Sequence, residues 1–332
     1  MTTTTKIRFG LIGTNWITER FLAGARLHEQ FELAAVYSRT EEKAREFADK
    51  HGIPHRYTDL EAMFGSGVID AVYIASPNSL HAPHAIAAMN RGIHVLCEKP
   101  AASNAREMRE MIETAKRTDT LLMQAVKSTL MPGFKAIQDN LEKAGTVRRY
   151  FASFCQYSSR YDAYKAGQVL NAFKPELSNG SLMDIGIYCI YPAVALFGKP
   201  NSVKAQGYML ESGVDGEGSL ILGYDTMDAV LMHSKITHSF LPNEIQGELG
   251  SLYIDKISEP TSITFQTRDG KVEDLSRPTI EETMYYELDE FIQLLNRGLR
   301  ESSINSHETS LITMEIMDEA RRQMGLRFPA DE

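Results

Sequence analysis

The run Gly10-Leu11-Ile12-Gly13-Thr14-Asn15-Trp16-Ile17-Thr18 joins an apolar stretch to a segment with helical spacing. A dinucleotide-binding turn wants glycine at the tight bend and glycine again where backbone meets pyrophosphate. Gly13 fits the first place and Asn15 stands in the second. Asparagine tolerates a left-handed backbone, but its side chain takes up room. Thr14, Asn15, Trp16 and Ile17 are therefore candidate phosphate-turn residues on a degraded fingerprint, and an ordinary glycine turn before a helix is the alternative. At the end of the next apolar run stand Ser38-Arg39-Thr40, with Lys43 one turn further on. A site for NAD usually places an acid there for the ribose hydroxyls. Arg39 could instead stack on adenine and pair with a 2′-phosphate, and Lys43 could add a point charge. This favours NADP over NAD, with NAD left possible and with two plain surface cations as the bland reading.

Two further sets could move a proton. Lys99 precedes Pro100, which biases the lysine backbone toward an extended form and helps to aim its side chain. A cation there could hydrogen-bond a substrate oxygen, favour charge developing on it, or lower the pKa of a nearby phenol. Asp184 and Tyr188 lie four apart in a helical segment and so share one face. Cys97, Cys155 and Cys189 are too few and too scattered for a disulfide framework or a zinc cluster. His233 and His238 form no ligand constellation, so no metal is expected.

Alternating elements must position these groups. Ile7–Ile12, Phe31–Tyr37, Ala71–Ala75, His94–Cys97 and Leu121–Ala125 read as buried strands separated by helical stretches, which argues for a parallel sheet covered on both faces. Ligands of such a sheet bind beyond the carboxyl ends of its strands. Downstream, Val147–Ser158, Ser202–Leu210, Gly218–Tyr224, Ala229–Thr237 and Glu244–Ile254 read as strands joined by turns. Leu182–Phe197, Glu282–Asn296 and Glu308–Met324 read as helices. At 332 residues, two domains are expected, with the break after residue 125: 1–125 an α/β Rossmann domain, 126–332 an α+β domain.

The net charge of −9 argues against nucleic-acid and anionic-membrane surfaces. Met1–Lys6 is a threonine-rich tail without an apolar signal core, and no uninterrupted apolar run is long enough to span a bilayer. The cytoplasm is the expected location.

The stretches Ala75-Ser76-Pro77-Asn78-Ser79-Leu80-His81, Gly92-Ile93-His94-Val95-Leu96-Cys97-Glu98-Lys99-Pro100 and Gly180-Ser181-Leu182-Met183-Asp184-Ile185-Gly186-Ile187-Tyr188 resemble the glucose-fructose oxidoreductase, inositol dehydrogenase and rhizopine-catabolism (Gfo/Idh/MocA) family over essentially the whole chain. The Asp-x-x-x-Tyr form is similar to the dihydrodiol dehydrogenase-like branch. The resemblance implies a second domain with an open, mostly antiparallel sheet that packs against a partner subunit, hence a homodimer or higher homo-oligomer. It implies that Ser76, Pro77, Asn78, His81 and Glu98 line the ribose and nicotinamide, and that Lys99, Asp184 and Tyr188 form the catalytic set, with Tyr188 the acid/base. Many relatives carry an arginine where Thr129 stands; Lys127 is nearby and could face the nicotinamide. The expected activity is NADP(H)-dependent hydride transfer to or from a sugar, polyol or dihydrodiol-like substrate. An NAD-dependent sugar or inositol dehydrogenase and a non-catalytic dinucleotide-binding regulator are the alternatives.

Overall fold

The computed structural model describes residues 5–332; of the tail Met1–Lys6, residues 1–4 lie outside the described residues. The chain divides into two compact units. The first holds residues up to Ala102, then Arg106–Ala125 and Glu282–His307; the second holds Ser103–Ala105, Val126–Glu281 and Glu308–Glu332. The sequence alone predicts a single break after residue 125, with 1–125 as one domain and 126–332 as the other. The structure adds that residues 282–307, read above as part of the second domain, return to the first unit.

Six parallel strands build the first unit: β1 (Ile7–Ile12), β2 (Phe31–Tyr37), β3 (His55–Tyr57), β4 (Ala71–Ile74), β5 (His94–Glu98) and β6 (Leu122–Ala125), in the order β3-β2-β1-β4-β5-β6. All four residues of β4 are buried, as are the last four of β1, which is why these runs are continuously apolar. Strand order reverses between β1 and β4, so the ends of those strands form the switch point where ligands of such sheets bind. β3 escaped the sequence reading because His-Arg-Tyr at an exposed edge carries no apolar pattern. The helices are α1 (Trp16–Ala25), α2 (Glu41–His51), α3 (Leu60–Phe64), α4 (His81–Met89), α5 (Ala105–Thr118) and, from the returning segment, Tyr285–Asn296. Phe291 of that last helix meets Phe9 of β1 with ring centroids 5.8 Å apart, and its first residue lies against Gly24 of α1.

The second unit carries an eight-stranded sheet: β7 (Val147–Cys155), β8 (Ser202–Met209), β9 (Asp215–Gly223), β10 (Asp228–Ser234), β11 (Asn243–Gly247), β12 (Gly250–Ile254), β13 (Ile263–Thr267) and β14 (Val272–Asp274), ordered β14-β13-β12-β11-β7-β10-β9-β8. All its pairs are antiparallel except β7 with β10. The single strand expected over Glu244–Ile254 is a hairpin. Glu248 and Leu249 turn the chain there, their N–H groups donating to Thr146 and Ala144 carbonyls.

The helix expected over Leu182–Phe197 begins as a π-helical turn, Leu182–Gly186, and continues as an α-helix, Ile187–Phe197, which packs on β7 and β10. By length and composition Pro175–Phe197 could cross a membrane, but most of it is buried in the second unit. Tyr191 fastens this helix to Ser310 of the terminal helix His307–Met324, oxygen to oxygen at 3.1 Å.

Candidate active site

The phosphate turn follows β1. Gly13 has φ +114°, and a Cβ there would lie 2.6 Å from the Ala75 carbonyl oxygen. Only glycine fits. Asn15 caps α1: its Oδ1 accepts from the N–H groups of Ile17 at 3.0 Å and Thr18 at 3.3 Å. Its Nδ2 donates to Ala75 O at 2.7 Å. The residue in the second glycine place is thus a cap and a tie, and its side chain is folded into the loop. Thr18 Oγ1 donates to Gly13 O at 3.1 Å, and Trp16 stands exposed on the first turn. A glycine-only bend leading into a helix N-terminus, two of whose N–H groups Asn15 already caps, lies where a dinucleotide pyrophosphate binds in such folds.

At the end of β2, Ser38 is buried, while Arg39 and Lys43 are exposed and enter no ion pair among the described residues. Thr40 caps α2 through Lys43 N–H. Two exposed cations, with no acid at positions 38–40 and with Glu41 and Glu42 opening α2 between them, can meet a 2′-phosphate.

The ends of β4 and β5 are locked together. His81 is fully buried; its Nε2 lies 2.7 Å from Ser76 O and its Nδ1 2.8 Å from Pro100 O. Burial lowers its pKa against the pull of those two carbonyls. His81 spans the Ser76-Pro77-Asn78 and Glu98-Lys99-Pro100 loops, so the structure gives it a positioning part and does not leave its ring turned to a ligand. Ser76 Oγ pairs with His84 Nδ1 at 3.1 Å, and burial takes His84 down to about 4. Tyr73 donates to Glu98 Oε1 at 2.5 Å, and Lys99 N–H donates to Glu98 Oε2 at 3.2 Å. The Tyr73 ring in turn stacks on Phe21 with centroids 3.7 Å apart. Glu98 is therefore held at both carboxylate oxygens, and Lys99 follows it, joined to Pro100 by a cis peptide.

In the second unit, Asp184 sits in the π-helical turn and Tyr188 on the first turn of the following helix, half-buried, its ring edge-on to Phe154 at 5.7 Å. Wide turns of this kind often mark functional positions in helices. Asp184 Oδ2 is paired with Lys235 Nζ, a partner the sequence reading missed. The Lys235 ammonium also lies 5.7 Å from the centre of the Phe173 ring. Beneath them is a buried cluster. Asp215 Oδ2 accepts from Leu182 N–H at 2.7 Å, and His233 Nδ1 meets Ser181 Oγ at 2.9 Å. Gly180 has φ +139°, and a Cβ there would lie 2.1 Å from Asp215 Oδ1, so Gly180 is what admits this carboxylate. Lys127 is paired with Glu259, and Thr129 bonds Val126 O at 3.0 Å inside its own turn. Lys99 belongs to the first unit, and Asp184, Tyr188, Lys235 and Lys127 to the second. Among the described residues no group of three or more His, Cys, Asp or Glu could hold a metal.

Residues 7–126 match the model of the oxidoreductase family with an NAD-binding Rossmann fold (GFO_IDH_MocA), and residues 140–253 match the GFO/IDH/MocA C-terminal domain. The chain is 57% identical over 326 residues to scyllo-inositol 2-dehydrogenase (NADP(+)) IolU of Bacillus subtilis (strain 168), covering 98% of this chain and 99% of that one. It is 34% identical to trans-1,2-dihydrobenzene-1,2-diol dehydrogenase of Xenopus tropicalis, over 90% and 91% of the two chains. A 3-ketoreductase from Actinomadura kijaniata, crystallised with NADP and TDP-benzene, shares the fold with a TM-score of 0.84 at 23% identity, over 96% and 98%. With both domain models matched in order and more than half of its sequence shared with a full-length relative, this chain belongs to the Gfo/Idh/MocA oxidoreductase family and is a nicotinamide-dependent dehydrogenase or reductase.

Proposed function

We propose that this chain is an NADP-dependent dehydrogenase of cyclic polyols, with scyllo-inositol as the leading substrate. The observation that carries the reading is the 57% identity, across 98% of the chain, to an enzyme named for that substrate and cofactor. The exposed pair Arg39 and Lys43, with no acid at positions 38–40, supports the cofactor half.

When bound, the nicotinamide supplies the hydride acceptor or donor. The protein's own part is to hold the substrate hydroxyl and handle its proton. Tyr188 takes that proton on its phenolic oxygen during oxidation and returns it during reduction. Lys99 supplies a cation that favours negative charge on oxygen. Asp184 orients the substrate through its carboxylate. Gly13, Thr14, Asn15, Trp16 and Ile17 hold the pyrophosphate end, and Ser76, Pro77, Asn78 and Glu98 shape the ribose and nicotinamide end. We further place the enzyme in the cytoplasm as a homodimer, joined through the outer sheet face that exposes Lys204, Gln206, Tyr208, Ser219 and Ile221.

Fluorescence titration with NADPH and NADH, followed by turnover of inositol isomers, aldoses and trans-dihydrodiols with NADP+, tests the reading. Tenfold tighter NADH, or turnover confined to open-chain aldoses, overturns it. Faster turnover of dihydrodiols than of inositols would favour the second named relative's activity.

A further inference from the structure

Lys235 belongs to none of the motifs used above, yet it is a cation held out of water, 3% exposed. It is the residue after β10, and its backbone is pinned on both sides. Its N–H donates to Gly216 O at 2.8 Å, and its carbonyl accepts from Ser158 N–H at 2.8 Å. Its ammonium meets the Asp184 carboxylate and the face of Phe173. Such a pair is poor at stabilising a fold, because desolvating the charges consumes most of what their attraction returns. Replacement by an apolar side chain of similar length is often neutral or stabilising. The Asp184 side chain is 35% exposed, so water can solvate it when the lysine is gone. The stability of the Asp184 pair therefore does not account for a lysine at this place.

We propose that Lys235 is a positioning residue of the reaction: from a rigid strand end, its ammonium sets the orientation of the Asp184 carboxylate on the π-helical turn. This rests on the functional reading above in one respect, that Asp184 takes part in the reaction. A carboxylate on a wide turn has two free torsions, and a misplacement of about 1 Å costs on the order of a hundredfold in rate. A buried cation on a pinned strand end removes that freedom. Arginine could hold the same carboxylate with altered geometry; methionine could not hold it at all.

The test compares Lys235→Met and Lys235→Arg in the full chain. The expected result for Lys235→Met is a kcat at least thirtyfold lower, a KM for NADP+ within twofold of the parent and an undiminished melting temperature, with Lys235→Arg recovering part of kcat. A Lys235→Met enzyme within threefold of the parent kcat overturns the proposal. So does one that loses only substrate KM, or one that fails to fold, since the lysine would then be serving the fold. If the parent turns over no polyol, the functional reading falls by itself. The crystal structure of Lys235→Met then decides the positioning claim: a displaced Asp184 carboxylate supports it, and an unmoved one overturns it.

Discussion

Asn15 donates from Nδ2 to the Ala75 carbonyl over 2.7 Å, while its Oδ1 caps the first turn of α1. One side chain thus closes a helix and fastens it to the end of β4, beside the glycine bend. Losing an N-cap costs about 0.5–2 kcal/mol, and here a buried carbonyl loses its donor as well. Asn15→Ala should destabilise the protein by about 2 kcal/mol in urea denaturation and weaken NADPH binding. Unchanged stability would remove Asn15 from this role.

Cofactor choice should follow the cations after β2. Removing Arg39 takes away a planar, permanently charged group suited to a 2′-phosphate. Arg39→Ser should lower the preference for NADPH over NADH by tenfold or more, and adding Lys43→Ala should lower it further. Equal losses for both dinucleotides, read by fluorescence titration, would contradict the assignment.

Tyr188→Phe keeps the ring against Phe154 and removes only the hydroxyl. An acid/base group contributes roughly a hundredfold to ten-thousandfold. Turnover should fall within that range while NADPH affinity stays within twofold of the parent. A variant that turns over normally would take Tyr188 out of the mechanism.

Acid stability should report the buried pair His233 and Asp215, whose Nδ1 and Oδ2 lie 3.7 Å apart. Burial takes His233 from its ordinary 6.5 down to about 3. Burial takes Asp215 from 3.8 up to about 6, against the backbone N–H groups and the Lys235 charge. The two act in opposite senses. As pH falls from 6.5 toward 3, the unfolded chain gains the histidine proton first, so folding weakens. As pH falls from 6 to 3.8, the folded chain gains the aspartic proton first, so folding strengthens. In the parent these effects offset one another across their overlap. His233→Gln leaves the second alone. Its stability relative to the parent should rise between pH 6.5 and 4 by on the order of 3 kcal/mol. Parallel pH profiles of parent and variant from urea melts would count against the His233 shift.

The sheet of the first unit was legible because its strands are buried on both faces and so read as unbroken apolar runs. The strand ends were legible because Gly13, Ser76-Pro77-Asn78 and Glu98-Lys99-Pro100 each follow such a run. Lys235 was not, because it is 51 positions from Asp184 and only the parallel pairing of β7 with β10 fixes where its strand ends. His81 read as a ligand-facing residue at a helix start. Nothing local shows that the carbonyls of Ser76 and Pro100 close on both sides of its ring. The capping by Asn15 does carry a local signal, since asparagine just before a helix is a standard cap; the same position is also the second glycine place of the fingerprint. The hairpin at Glu248-Leu249 was hidden inside one alternating run, although Gly247 and Gly250 bracket it.

The chain passes between the two units five times, at 102/103, 105/106, 125/126, 281/282 and 307/308. A gene fragment stopping at residue 125 would encode the nucleotide sheet without the helix Tyr285–Asn296, which lies on Phe9 and Gly24. The nucleotide-binding half is therefore not a portable cassette. Recombination that exchanged the first 125 codons would hand each hybrid a sheet and a covering helix from different parents. A point substitution such as Arg39→Ser, by contrast, leaves the sheet and its covering helix from one parent.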